Sequence, residues 1–261
     1  MHNFEIIMRE KAKHIGICRL CKEEKVLTFE HIPPKVAFNR NTRYYSISQK
    51  EYFKVENVLD YKPKTKVIQG GMGEYCLCRG CNSFLGREYV RAYQDWARFG
   101  GIAAVSLSSD YIALEMENLN PLRILKQIVS MFICRNNPDF TALHPQLLNF
   151  VLNPKCNELP EEVHLYAYLN IEGQPRNIPI AFTNLWGQIS EMSFRPFGYI
   201  LSVNNETLKG NITEITPFRF YSDNFAHCFS INLFKLPTYL PYPLDYKSKE
   251  EIECLNNNER E

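Results

Sequence analysis

The chain lacks any run of about 18 uninterrupted apolar residues, the length below which a membrane-spanning helix is not expected. Its nearest approach, Ile124 to Cys134, is broken by Lys126 and Gln127, so no membrane partner is expected. The segment Met1 to Lys13 has no apolar core of the kind a signal peptide requires, because Glu5, Arg9 and Glu10 stand there. A cytoplasmic location is therefore expected. Internal repeats and low-complexity tracts are also missing. Net charge is nearly absent: 30 Lys+Arg against 29 Asp+Glu leave +1. Taken as a whole, that total argues against a uniformly basic nucleic-acid binder.

The charge is unevenly placed. Residues 1–100 hold 18 basic and 11 acidic residues, net +7, and residues 101–261 hold 12 and 18, net −6. Halves of opposite sign are a cue for nucleic-acid contact. With 45% hydrophobic and 23% charged residues, the composition is that of a globular protein. Its 261 residues suit two modest domains or one large one.

Nine cysteines is an odd number, so they cannot all pair within one chain. Five of them, Cys18, Cys21, Cys76, Cys78 and Cys81, lie in the first 81 residues. In a reducing compartment, thiols clustered at two-residue gaps point to metal rather than disulfides.

Periodicity divides the rest. Residues 39–66 read as an insertion or extended loop. A helix is predicted from Ser83 to Arg98, with Leu85, Tyr89, Tyr93 and Trp96 on one face and Arg87, Arg91 and Arg98 on another; Gly100-Gly101 should stop it. In a second helix Asn120 can cap, Pro121 fits the first position, and Leu125, Ile128, Val129 and Phe132 form the apolar stripe. Asn136-Asn137-Pro138 ends it, and a shorter helix spans Pro145 to Leu152. Beyond Glu161 the alternation of Val163, Leu165, Ala167 and Leu169, and again of Phe225, Phe229, Ile231 and Leu233, predicts strands. A polar tail begins near Lys247. The expected division is 1–100, a helical connector 101–160, and a β-rich region 161–261 of unknown role in which Trp186 and the aromatic strands are core by default.

The strongest motif is Cys18-Arg-Leu-Cys21 paired with Cys78-Arg-Gly-Cys81. Two C-x-x-C turns can present four thiolates to one zinc ion in a tetrahedral site. Such a site can contribute roughly 10–16 kcal/mol of apparent binding energy, enough to organise a small domain crossed by a long loop. Cys76 is expected to point away from Cys78 on an extended strand and is left outside the site. Between the pairs stands Thr28-Phe29-Glu30-His31-Ile32-Pro33-Pro34, an acidic residue and a histidine at the end of a predicted strand; Asn82 follows the second pair directly. The knuckles should bring Glu30, His31 and Asn82 toward one another. The other histidines, His14, His144, His164 and His227, have no ligand-like neighbours in sequence.

The order Cys18-x2-Cys21, Phe29-Glu30-His31-Ile32-Pro33, Cys78-x2-Cys81-Asn82-Ser83-x2-Gly86 resembles the HNH endonuclease family, in the branch that carries two zinc knuckles. The resemblance spans about residues 15–95. It implies an α+β fold built on a zinc-stabilised ββα-metal core, with His31 as general base and Glu30 and Asn82 as ligands of a catalytic Mg²⁺ or Mn²⁺ ion. It implies phosphodiester hydrolysis on nucleic acid, with DNA expected ahead of RNA and the choice between them left open by the sequence. The family's middle Asn, usually a few residues before the second knuckle, is replaced by Gly73-Glu74-Tyr75. Its orienting role must pass to another residue, with Glu74 a candidate, or to a backbone carbonyl. A second helix-borne ligand is also missing, since Gly86 stands at that position.

The chemistry suits these residue types, because an imidazole titrating near neutrality can deprotonate water. Lys35, Arg79, Arg87 and Arg91 are the expected phosphate contacts, with Arg98 continuing the stripe. By analogy alone, the acidic segment suggests an effector nuclease governed by a regulatory protein partner or a second copy of the chain, in a role such as anti-phage defence. The competing expectation is a non-catalytic, zinc-stabilised nucleic-acid-binding or protein-interaction module.

Overall fold

The computed structural model describes residues 13–46, 66–105, 110–170, 175–183, 187–204 and 207–240. Trp186, the N-terminal segment before Lys13, most of the predicted insertion and the polar tail lie outside them.

The N-terminal part is built on strands β1 (His14–Ile17) and β2 (Glu24–His31). A pair of three-residue antiparallel strands follows, β3 (Tyr44–Ser46) and β4 (Lys66–Ile68), and then β5 (Gly73–Cys78). β1, β2 and β5 form an antiparallel sheet in that order. β2 and β5 pair His31 with Gly73, Glu30 with Glu74 and Phe29 with Tyr75, then Thr28 with Leu77, so that Cys76 is the extra residue of a bulge. Only glycine fits at position 73, because a Cβ there would lie 2.0 Å from the Glu30 carbonyl oxygen. β5 runs directly into α1 (Arg79–Glu88), giving a strand–strand–helix unit closed by the two knuckles.

The single helix expected from Ser83 to Arg98 is two helices, α1 and α2 (Val90–Ala104). They break at Tyr89, whose backbone leaves the helical region (φ −125°, ψ −31°). The Tyr89 hydroxyl donates to the Val151 carbonyl at 2.6 Å, and this tertiary bond fixes the corner. Gly100-Gly101 does not end α2. A Cβ on Gly100 would meet the Phe197 ring at 2.3 Å, so the glycine admits close packing of helix on strand.

The segment 101–160 is more than a helical connector. It contains β6 (Tyr111–Leu119), then α3 (Pro121–Arg135), α4 (Pro138–Leu143) and α5 (Pro145–Leu152). Asn120 caps α3 as expected, its Oδ1 accepting the Arg123 N–H at 3.0 Å, with Pro121 in the first turn. Thirteen of the fifteen α3 residues are buried, so α3 is a central core helix rather than an amphipathic one. Asn137-Pro138, expected only to end a helix, also starts α4, with Asn137 Oδ1 accepting the Phe140 N–H.

The C-terminal part consists of β7 (Val163–Leu169), β8 (Arg176–Thr183), β9 (Gly187–Phe194), β10 (Phe197–Val203), β11 (Thr213–Glu214), a 3₁₀ turn (Thr216–Phe220) and β12 (His227–Phe234). β11-β7-β10-β9-β8 form an antiparallel sheet, while β12 pairs with β6. The fold is thus mixed α+β. One contiguous apolar core runs from Cys18 and Leu85 through Trp96, Phe132 and Leu165 to Leu233, joining all three parts of the chain. At its centre Trp96 stacks on Phe197 (centroids 4.6 Å apart) and donates Nε1–H to the Tyr199 hydroxyl at 2.9 Å.

Candidate functional site

Four cysteine sulfurs converge where the sheet meets α1. Cys18 and Cys21 lie on the turn after β1, which closes through Lys22 N–H to Cys18 O and Cys18 N–H to Glu23 O, both 2.9 Å, with Lys22 at φ +61°. Cys78 ends β5 and Cys81 stands in the first turn of α1. Their four Sγ atoms all lie within 4.8 Å of one another, and Cys21 and Cys78 are 3.9 Å apart. A zinc ion with metal–sulfur bonds of about 2.3 Å sets sulfurs about 3.8 Å apart, so the donor set fits a tetrahedral ion. The Cys78 N–H also donates to Cys18 Sγ at 3.3 Å. Hydrogen bonding by Cys81 and these backbone donors pulls the Cys18 thiol down to about 4, while the bond to Cys18 and burial push Cys81 upward. Crowded sulfurs of this kind need a cation if all four are to ionise together.

Cys76 lies outside the cluster, but not for the reason expected. Residues two apart on a regular strand share a face; the bulge breaks that alternation, and the Cys76 thiol lies within hydrogen-bonding reach of the free Cys134 thiol in the core.

Glu30 and His31 end β2, whereas Asn82 follows Cys81 in the first turn of α1, and among the described residues no hydrogen bond joins any two of the three. Glu30 is only 8% exposed, and burial pushes its carboxyl up to about 7. Among the described residues, its carboxylate has no hydrogen bond or ion pair. Thr28 shares its face two residues earlier and accepts a hydrogen bond from Asn82 Nδ2 at 3.0 Å. With Nδ2 committed to Thr28, Asn82 Oδ1 has no hydrogen-bond partner among the described residues. Asn82 thus reaches, through Thr28, the strand face on which Glu30 lies.

His31 projects from the opposite face, its ring edge-on to Phe29. Its Nε2 lies 3.1 Å from the Gly70 carbonyl oxygen. Gly70 and Gly71 both have positive φ (96° and 101°), and a Cβ on Gly71 would come within 2.7 Å of the imidazole. The glycine pair lets the loop wrap the ring. The ring's hydrogen-bond partner is thus a backbone carbonyl and not Glu74. Glu74 is engaged by Arg19 through two bonds of 2.9 and 3.1 Å, with Arg135 at 3.7 Å.

Sequence reasoning missed Asn39, which it placed at the start of an insertion. Asn39 is fully buried and donates to the carbonyls of Pro33 and Met72, both at 2.7 Å, while accepting the Met72 N–H at 2.7 Å. It ties the chain leaving His31 to the loop that returns under it.

Of the four expected phosphate contacts, Lys35 and Arg79 are exposed and have no ion pair among the described residues. Arg87 pairs with Glu88 at 2.7 Å, and Arg91 with Asp95 at 3.0 Å. Arg98 reaches the same Asp95 at 3.5 Å. Exposed pairs of this kind are weak and exchange readily for phosphate. Three of the remaining described histidines have hydrogen-bond partners away from this site: His144 with Gln188, His164 with Glu214 and His227 with the Ser222 carbonyl. His14 stacks on Tyr75.

No protein-family model matches the chain, no curated protein matches it, and no solved structure matches it.

Proposed function

We propose that the protein is a metal-dependent endonuclease of the HNH type that hydrolyses phosphodiester bonds of nucleic acid, DNA in the first instance. The observation that carries this reading is the Glu30 side chain, 8% exposed and without a hydrogen bond or ion pair among the described residues, on the strand face that Asn82 reaches through Thr28, at the strand end from which His31 emerges. The Gly70 carbonyl can only accept, so Nε2 of a neutral His31 carries the proton and Nδ1 keeps its lone pair. Nδ1 is then the atom that takes a proton from water, and the carbonyl supports the imidazolium that results. Glu30 and Asn82 would hold Mg²⁺ or Mn²⁺, which supplies Lewis-acid stabilisation of the phosphate and leaving oxygen. Zinc in the Cys18, Cys21, Cys78, Cys81 site would fix β5 and α1 against β2, and so Asn82 against Thr28. Lys35, Arg79, Arg87 and Arg91 supply positive charge for the phosphate backbone.

The test incubates the zinc-loaded chain with supercoiled and linear DNA, single strands and RNA, in Mg²⁺, Mn²⁺ or EDTA. Metal-dependent cleavage is expected, lost in His31→Ala with zinc content unchanged. Cleavage by His31→Ala at the wild-type rate rejects the assignment. Absence of any cleavage by a zinc-replete wild type favours the non-catalytic zinc-stabilised module instead.

A further inference from the structure

Four rings lie along the outer face of the β1-β2-β5 sheet. His14 stacks on Tyr75 (centroids 3.6 Å, planes 21° apart), Tyr75 meets Phe29 edge to face at 5.5 Å, and Phe29 meets His31 edge to face at 5.0 Å. The register accounts for the line: Phe29 is directly opposite Tyr75, His31 follows two residues on along β2, and His14 stands opposite Leu27 on the same face. Among the described residues nothing covers the line: Phe29 is 37% and Tyr75 44% exposed. A sheet face that merely meets water has no need of large rings there.

The line ends at His31, where the described chain between β2 and β5 begins and returns. That chain (residues 32–46 and 66–72) contains Lys35, Arg40, Arg43 and Lys66 and no Asp or Glu. All four cations are exposed, and none has an ion pair among the described residues. Stacking surface and polyanion-attracting charge thus meet at one histidine.

We infer that this face binds an unpaired strand of nucleic acid, its bases stacking on Phe29 and Tyr75 and its backbone running past His31 onto the basic loop. A duplex has its base faces already stacked, so an aromatic platform selects unpaired nucleotides. The inference rests on the nuclease reading and sharpens it: the strand cleaved is single-stranded or locally opened.

Binding is measured by fluorescence anisotropy on the full zinc-loaded chain without Mg²⁺ or Mn²⁺, so that cleavage plays no part. The probes are labelled DNA and RNA oligonucleotides of about 16 nucleotides, single-stranded and as the matching duplexes. Single strands are expected to bind more tightly than duplex. Phe29→Leu and Tyr75→Leu keep apolar bulk but remove the ring, and each should weaken single-strand binding roughly 5- to 100-fold. Phe29→Tyr and Tyr75→Phe should retain it, which separates a lost stack from a damaged fold. The DNA and RNA arms show which strand the face prefers. Equal affinity for duplex and single strand, or leucine variants that bind as wild type does, would overturn the inference. So would leucine variants that abolish self-association while leaving oligonucleotide binding intact, since the face would then serve a second copy of the chain. Loss of the nuclease reading shows separately, as missing cleavage in Mg²⁺ with single-strand preference retained.

Discussion

The side-chain amide of Asn39 holds both backbone polar groups of Met72, accepting from its N–H and donating to its carbonyl at 2.7 Å each. In effect a side chain substitutes for a neighbouring strand, and its second N–H fixes the Pro33 carbonyl as well. Asn39→Ala strands the Met72 N–H and the Pro33 carbonyl in a buried place and leaves the Met72 carbonyl only its bond from the Ile32 N–H. We expect a loss of about 2–5 kcal/mol in urea unfolding, with zinc retained. Cleavage should fall with it, because the Gly70 carbonyl under His31 belongs to the loop released. Asn39→Asp keeps only the acceptor and should recover a minor part; full recovery would contradict the clamp.

Zinc stoichiometry separates the cysteines. Cys78→Ser should lower zinc content well below equimolar, and limited proteolysis should then cut between β1 and α1. Chelation of the wild type should have the same effect, since structural zinc sites and folding are one equilibrium. Cys76→Ser should keep its zinc, because that thiol faces Cys134. Zinc loss in Cys76→Ser and not in Cys78→Ser would refute the assignment of ligands.

Glu30→Gln replaces a buried, unpaired carboxyl by a neutral group of the same shape. Without divalent cation at pH 8 the variant should be more stable than wild type by roughly 1–3 kcal/mol. Added Mn²⁺ should raise the thermal midpoint of the wild type and leave that of Glu30→Gln in place. An equal response of both proteins to Mn²⁺ would place the cation elsewhere.

Lys126 is fully buried in α3, where its ammonium bonds the carbonyls of Phe150, Asn153 and Cys156 and lies 4.0 Å over the Phe150 ring. It caps the end of α5, where helix carbonyls lack partners. Lys126→Met should cost about 2–4 kcal/mol near pH 7. Burial lowers the folded-state value to about 8, against 10.5 for an ordinary lysine. The penalty for keeping the proton is therefore full below about 8 and is relieved as pH rises towards 10.5. Denaturation across this window should show the wild type gaining on the variant as pH increases; a gap that narrows would reverse the assigned sign.

What could be read from the sequence was local. Asn120-Pro121 and Pro145 announce helix starts because cap and first-turn residues act within one turn, and the C-x-x-C pairs carry their spacing openly. What could not be read depends on partners far along the chain. Asn39 looks like a loop residue until Met72, 33 positions on, comes beside it. The corner at Tyr89 exists because of Val151. β6 carries Glu115 and Glu117 and a mostly exposed pattern, so its pairing with β12 leaves little hydrophobic trace. The triad was legible only as a motif; that Asn82 reaches the Glu30 face through Thr28 requires the fold.

Gly100 makes the same point in a form that can be measured. In an exposed helix interior, Gly→Ala stabilises by roughly 1 kcal/mol through propensity, and read as a helix stop Gly100 would tolerate alanine well. It lies instead inside α2, buried, with Phe197 Cζ 2.3 Å and Pro196 Cγ 2.9 Å from where a Cβ would stand. The Phe197 ring cannot swing aside cheaply, because it is stacked on Trp96 at an interplanar angle of 9°. Gly100→Ala should therefore destabilise by about 1–3 kcal/mol through overpacking, opposite in sign to the propensity effect. Combining it with Phe197→Leu should cost less than the sum of the two single changes, as the smaller side chain admits the methyl group. A Gly100→Ala protein as stable as wild type, or more so, would show that α2 and β10 are not packed this closely.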